Sequence, residues 1–98
     1  MLAEAAEHAM RSKDMPVLAK VGVALAALHA HHGNPMHAAK VLGAAEQLRG
    51  APDARNPEVA RLTDRLRADV GDAAFDLAYA TGAALDRPDA IALVHTPA

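Results

Sequence analysis

The stretch LHAHHGNPMHAAKVLGAAEQLRG, residues 28–50, decides the fold, because it places helix-stop and helix-start signals next to each other. Gly33 can adopt the left-handed backbone that ends a helix. Asn34 can cap the following helix, and Pro35 then occupies a first-turn position in which no backbone N–H is needed. The sequence therefore predicts a tight helical hairpin, with one helix over residues 16–32 and the next over residues 35–49.

Similar signals divide the rest of the chain into four more helices. Asn56 and Pro57 repeat the Asn-Pro start, Asp72 can cap the helix that follows Gly71, and Asp86 with residue 89 resembles a capping box. These signals predict helices over residues 2–13, 57–70 and 73–81 and a short last helix that ends at residue 94. The prediction is thus an all-α bundle of about six helices.

Length and composition agree with a single all-α domain. A chain of 98 residues closes around one core. It contains 26 alanines but only seven valines, one isoleucine and three threonines, so both helix and strand propensities favour helices and nearly exclude a sheet. We expect residues 1–98 to form one domain, with a repeat-like hairpin region over 1–50 and C-terminal capping helices over 57–95.

Apolar side chains recur at helical spacing on the predicted helices. Small residues, among them Gly22, Ala26 and Gly43, are expected where the two helices of the hairpin face each other, so that the helix axes can approach closely. Phe75 and Tyr79 share one helical face and are expected to close the end of the stack. The two stripes predicted to face each other are Leu18, Val21, Leu25, Leu28 and His32 on one helix and Ala38, Leu42, Ala45 and Leu48 on the other.

The fourth helix, over residues 57–70, has a narrow apolar seam and a charged side. Arg61 with Asp64 and Arg65 with Asp69 have the spacing of ion pairs along a helix. The seam, which we expect to be buried, consists of Val59, Leu62, Leu66 and Val70.

Several classes of function are disfavoured by the residues alone. Without cysteine there is no disulfide framework, thiolate zinc site or cysteine nucleophile. The longest apolar stretch, residues 21–30, is shorter than the roughly 20 residues that span a bilayer, and the N-terminus lacks the pattern of a signal peptide. A net charge of −2 does not suit direct nucleic-acid binding. We therefore expect a cytoplasmic protein without membrane or nucleic-acid partners.

Neither catalysis nor DNA reading finds the residues it requires. Ser12 is the single serine, and no glycine loop resembles a phosphate cradle or a nucleophile elbow, so we expect no enzymatic activity and no cofactor. Residues 60–82 resemble a DNA-binding helix-turn-helix in outline. However, residues 73–81 contain no Arg, Lys, Asn or Gln to contact base edges.

The histidines leave two interpretations open. His29, His32 and His37 could bind a first-row divalent metal across the hairpin turn, although His31 points away from His29 and His32 on a helix. The other interpretation, which we favour, is that imidazoles near a helix C-terminus interact with its negative dipole end and cover the tip of the hairpin. A histidine-based metal or pH sensor therefore remains the alternative function.

The hairpin also has the pattern of one tetratricopeptide-like unit. Leu25, Ala26 and Gly33 have the residue sizes and spacing of such a unit, continued by Ala38, Leu42 and Ala45. Small residues let the two antiparallel helices touch, and the remaining apolar positions contact neighbouring units. Because about three units are needed for stability, residues 2–13 would be a helix from a preceding unit.

A longer resemblance rests on three segments, AAKVLGAAEQLR at 38–49, GDAAF at 71–75 and GAAL at 82–85. Together they resemble the C-terminal tetratricopeptide-like region of large bacterial ATPase-containing transcriptional regulators of the LuxR and SARP types. The resemblance covers roughly residues 18–94. It implies a non-catalytic segment that receives an effector, a protein partner or another domain of the parent regulator.

The candidate interaction residues lie on the exposed face of the hairpin and at the terminal aromatic pair. They are Lys20, His31, His37, Phe75 and Tyr79. A repeat stack cut at its end exposes apolar surface that a second copy can cover, so a homodimer is also possible.

Overall fold

A computed structural model of the protein describes residues 15–50 and 56–95, with side chains over residues 18–50 and 56–94. The described residues form five α-helices and no β-strand, which confirms the all-α fold class. The predicted helix over residues 2–13 lies outside them. The helices are α1 (Met15–His31), α2 (Pro35–Arg49), α3 (Pro57–Val70), α4 (Asp72–Ala83) and α5 (Arg87–His95).

The turn between α1 and α2 forms where the sequence predicts it. Gly33 adopts a φ of 80°, in the left-handed region, and the N–H of Asn34 donates to the carbonyl of His29 at 2.9 Å. The capping role predicted for Asn34 is wrong, because its side chain accepts no hydrogen bond from the helix. Its backbone carbonyl instead accepts from the N–H of Ala38 at 2.9 Å.

The caps predicted at Asn56 and Asp72 have opposite outcomes. The side chain of Asn56 accepts a 2.9 Å hydrogen bond from the N–H of Glu58, as a cap of α3 should. Asp72 does not cap α4, because Gly71 occupies the cap position and Asp72 is already the first helical residue. The carboxylate of Asp72 instead binds Arg67 at 3.2 Å, across the junction of α3 and α4.

Helix α2 is the central element, with α1, α4 and α5 packed around it. Nine of its residues are buried over most of the helix circumference, which its small side chains permit. One apolar cluster joins α2 to α1, α3 and α4, and a second joins it to α1 and α5. The largest fully buried side chains are Leu18, Leu42, Leu66, Val41 and Val94.

The predicted stripe on α1 is correct only in its first half. Leu18, Val21 and Leu25 are buried, but Leu28 is half-buried and His32 is exposed. His29 is buried in their place, because a helix of 3.6 residues per turn carries the inner face from residue 25 to residue 29.

Two glycines let α2 and α4 cross in close contact. A Cβ added at Gly43 would meet the carbonyl oxygen of Tyr79, and one added at Gly82 would meet the carbonyl oxygen of Lys40. Gly43 therefore lets α2 approach α4 closely. The sequence predicted instead that Gly43 lets α2 approach α1. Gly82 was expected to lie beyond the end of this helix. It lies inside α4, because its lack of a side chain permits the crossing.

The seam of α3 is buried as predicted, with Val70 half-buried at its end. Arg65 lies 3.9 Å from Asp69, whereas no ion pair between Arg61 and Asp64 is recorded among the described residues. The sequence missed Arg67, whose guanidinium lies 4.4 Å from the centre of the Phe75 ring and 2.9 Å from Asp76. This stacked cation joins α3 to α4.

Candidate functional site

A groove with a volume of about 470 Å³ opens between α1, α2 and the first turn of α3. It lies toward the end of the α1–α2 hairpin that is remote from Gly33. Its lining residues are Ala19, Lys20, Val23, Ala24, Ala45, Glu46, Arg49, Asn56, Glu58 and Val59.

The helical period explains why these residues meet. On α1 the lining positions 19, 20, 23 and 24 fall on one face, and on α2 the positions 45, 46 and 49 do the same. The third wall begins at Asn56, whose hydrogen bond to the N–H of Glu58 sets the direction in which α3 starts. The groove is therefore built on helices and on a fixed cap.

The groove has an apolar floor and charged groups of both signs. Alanine and valine side chains from all three helices form the floor, and Lys20, Arg49 and Glu58 are exposed around it. Glu46 is different, because it is only 8% exposed and accepts a hydrogen bond from the hydroxyl of Tyr79 on α4. Its carboxylate is thus held from behind the groove by another helix.

A second polar contact holds α2 near Glu46. The side-chain Nε2 of Gln47 donates to the carbonyl of Leu85 at 2.6 Å, just after α4 ends. The two contacts attach Glu46 and Gln47, which are consecutive on α2, to the two ends of the segment 79–85. Such anchoring fixes the position of this wall of the groove.

The size and lining of the groove are those of a candidate ligand site. Ligand sites in proteins are concave surfaces of about 300–1,000 Å³, and this groove falls within that range of volume. Its lining is more polar than that of most such sites, because five of its ten lining residues are charged or polar. Among the described lining residues there is no serine, threonine, cysteine or histidine, but Lys20, Glu46 and Glu58 supply an amine and two carboxylates. These side chains offer ion pairing, hydrogen bonding and proton exchange beside the apolar contacts.

The structure separates the five predicted interaction residues. Lys20 lines the groove directly, and Tyr79 contributes through its hydrogen bond to Glu46. Phe75 is 3% exposed and stacks on Tyr79 at 5.7 Å between ring centres, so it lies in the core, and its role as an interaction residue stays a prediction. His31 is exposed and His37 half-buried at the opposite end of the hairpin.

The predicted three-histidine metal site is not assembled. The rings of His29 and His37 touch edge to face with centres 4.4 Å apart, while His32 lies beside His31 at 5.9 Å. Within the part of the chain that the structure describes, no group of three or more His, Cys, Asp or Glu residues could hold a metal ion.

His29 is buried to a degree that the sequence did not reveal. It is 7% exposed, and burial lowers the pKa of its imidazole below the usual 6.5, with further lowering by His37 and then His32. The other residues missed from the sequence were Glu46, Arg49, Asn56 and Glu58 of the groove. Glu46 offered one signal, since it is an acid on the apolar side of a helix and buried acids require partners.

Comparisons with protein-family models, with curated proteins and with solved structures found no match for this chain. None of the helices within residues 15–50 and 56–95 combines the length and apolar character needed to cross a membrane.

Proposed function

We propose that this chain is a non-catalytic interaction module that binds a peptide segment of a protein partner in the groove between α1, α2 and α3. The observation that carries the proposal is the composition of the groove, an apolar floor surrounded by two basic and two acidic side chains. A small effector with groups of both charges would satisfy the same chemistry.

A peptide fits this lining because it brings both kinds of polar group with it. Lys20 and Arg49 can bind a carboxylate or a backbone carbonyl, and Glu58 can accept hydrogen bonds from an ammonium or from backbone N–H groups. The floor accepts small apolar side chains between them. Glu46 is fixed by Tyr79 and therefore orients the ligand with little loss of side-chain entropy.

We further propose that the module is a tetratricopeptide-like hairpin from the C-terminal region of a bacterial ATPase-containing transcriptional regulator. The three segments at 38–49, 71–75 and 82–85 support this assignment, as does the Gly33 turn between two helices with small residues. In such a regulator, occupancy of the groove would influence the ATPase switch, and the protein would act in the cytoplasm. Sequencing the adjoining coding region tests the assignment, because a phosphate loop upstream is expected and its absence would reject the regulator origin.

Binding is tested by nuclear magnetic resonance with a mixture of tetrapeptides that have free termini and varied central residues. We expect concentration-dependent shifts of the amides of α1 residues 19–24 and α2 residues 45–49, with smaller changes elsewhere. If the mixture shifts no lining residue at millimolar concentration, the groove is not a peptide site.

A matched pair of variants assigns the shifts to the groove. Ala24→Leu places a larger side chain in the lining, whereas Ala68→Leu makes the same change at an exposed position of α3. We expect Ala24→Leu to abolish the shifts and Ala68→Leu to retain them, with both variants folded by circular dichroism. Equal binding by the two variants would contradict the proposed site.

Self-association is a separate proposal that rests on exposed apolar surface. Leu77 on α4 is 70% exposed and Met36 on α2 is 44% exposed, which is high for large apolar side chains. We expect sedimentation velocity to show a concentration-dependent dimer that Leu77→Lys weakens. Monomers at every concentration would contradict the proposal.

A further inference from the structure

His29 lies at the closed end of the α1–α2 hairpin with one ring nitrogen unpartnered. Its side chain is 7% exposed, and its Nε2 is buried without a hydrogen-bond partner among the described residues. The backbone of the same residue supports the turn, because its carbonyl accepts from the N–H of Asn34 at 2.9 Å. The ring and the turn are therefore linked through one residue.

The charged and titratable groups around His29 come from three elements. His31 and His32 follow His29 within three residues along the chain. The ring of His37 on α2 touches the His29 ring edge to face, with ring centres 4.4 Å apart. From α3, Arg65 donates to the carbonyl of Ala30 at 3.5 Å. The acidic member of this set is Asp69, which pairs with Arg65 at 3.9 Å. Helix α5 meets α1 through Val94 at Gly22, seven positions before His29.

Protonating this imidazole inside the hairpin is unfavourable for two reasons. A charged ring needs acceptors for both of its N–H groups, and Nε2 has none where it is buried. Charge repulsion from the neighbouring rings of His37 and His32 also disfavours the charged form of His29. Burial and these histidines accordingly lower the pKa of His29.

We propose that His29 makes the α1–α2 hairpin acid-sensitive, so that protonation of its buried ring opens the closed end of the hairpin around Gly33. The opened state gives Nε2 access to water and separates the ring from His37. This is a device of the turn region, at the end of the hairpin remote from the groove, and it stands independently of peptide binding.

The direction of the pH effect follows from proton linkage. The unfolded chain takes up a proton at His29 near the usual pKa of 6.5, whereas the folded chain does so only at lower pH. Stability is therefore complete above pH 6.5 and is lost as the pH falls toward the folded-state pKa. Each unit of pKa lowering corresponds to about a tenfold loss in the folding equilibrium constant.

The test measures urea unfolding at pH 7.5 and 5.5 for the wild type and three variants. His29→Gln and His29→Phe both remove the titrating group, and His31→Gln is the matched control at an exposed imidazole. We expect the fold-loss in stability between the two pH values to shrink in both His29 variants and to persist in His31→Gln. An equal loss in all four proteins would overturn the proposal.

Two measurements on the wild type keep the proposal testable even when the His29 variants fail to fold. The first is a resonance titration of the imidazoles, in which His29 should titrate below the usual pKa of 6.5. The second is amide exchange, in which the protection factor of Asn34 should fall by more between pH 7.5 and 5.5 than that of Phe75, whose N–H donates to the carbonyl of Gly71, the cap residue of α4. His29 titrating at or above the usual 6.5, or equal changes at Asn34 and Phe75, would refute an acid-opened turn.

Discussion

Replacing Gly82 by alanine tests the crossing of α2 and α4. The crossing predicts that the variant is less stable than the wild type, whereas helix propensity predicts that it is more stable. The added Cβ would lie 2.8 Å from the carbonyl carbon of Lys40 and 3.0 Å from the nitrogen of Ala44, in addition to meeting the Lys40 carbonyl oxygen. Ordinary contact between such atoms is about 3.5–4.0 Å, so the helices must separate by roughly 1 Å. All three neighbours are backbone atoms, which have no rotamer by which to move aside.

The size of the effect follows from two opposing contributions. Overpacking costs about 1–3 kcal/mol, and the backbone contacts here place Gly82→Ala near the upper end. Against this, alanine stabilises a helix by about 1 kcal/mol relative to glycine. The net expectation is a loss of about 2 kcal/mol, which lowers Tm by about 8–16 °C for a domain of this size.

Thermal unfolding followed by circular dichroism measures this loss, and Ala80→Gly supplies the control in the same helix. Ala80 is exposed, so its replacement reports the propensity contribution alone, about 1 kcal/mol of destabilisation. The crossing predicts that both variants are less stable than the wild type and that Gly82→Ala loses more. A higher Tm for Gly82→Ala would show that the two helices are not in close contact at this position.

Three further predictions use other contacts. Tyr79→Phe removes the hydroxyl that donates to the buried Glu46, so we expect a loss of about 1–3 kcal/mol in urea unfolding; unchanged stability would mean that this bond does not form in solution. Asn56→Ala removes the cap of α3 and should cost about 1 kcal/mol, whereas Asn34→Ala should change stability less because that side chain caps nothing. Zinc or nickel ions should leave Tm unchanged, because no group of three ligands is assembled in the described part of the chain, and a concentration-dependent rise in Tm would restore the metal hypothesis.

The helices could be predicted from the sequence because their ends carry local signals. Gly33 and Asn56 act through their own backbone conformation or through a residue two positions away, so no tertiary information was needed. Gly82 shows where local reasoning fails. Glycine permits both a helix end and a close crossing, and only the position of α2 decides between them.

The groove was less accessible to prediction than the fold. Lys20 was identified from its place on the hairpin, but the groove requires the start of α3 to lie beside α1 and α2, and no pattern in the sequence specifies that contact. The sequence suggested both a core role and an interaction role for Phe75. Its burial beneath Arg67 depends on how α3 packs against α4, which the sequence does not specify. The sequence placed His32 on the buried face of the hairpin, but His29 is the buried histidine. The two positions differ by less than one helical turn, yet the difference decides which imidazole is shielded from water.

The central claim, that α2 is the core helix and touches α4 through two glycines, is tested most directly by nuclear Overhauser effects. An added Cβ at Gly82 would be 3.0 Å from the nitrogen of Ala44, and one at Gly43 would be 3.0 Å from the nitrogen of Ala83, so one α-proton of each glycine lies close to those amides. We predict strong cross-peaks from Gly82 Hα to the amide of Ala44 and from Gly43 Hα to the amide of Ala83. Their absence, in spectra where the intrahelical peaks of the same residues are resolved, would contradict the fold on which the groove depends.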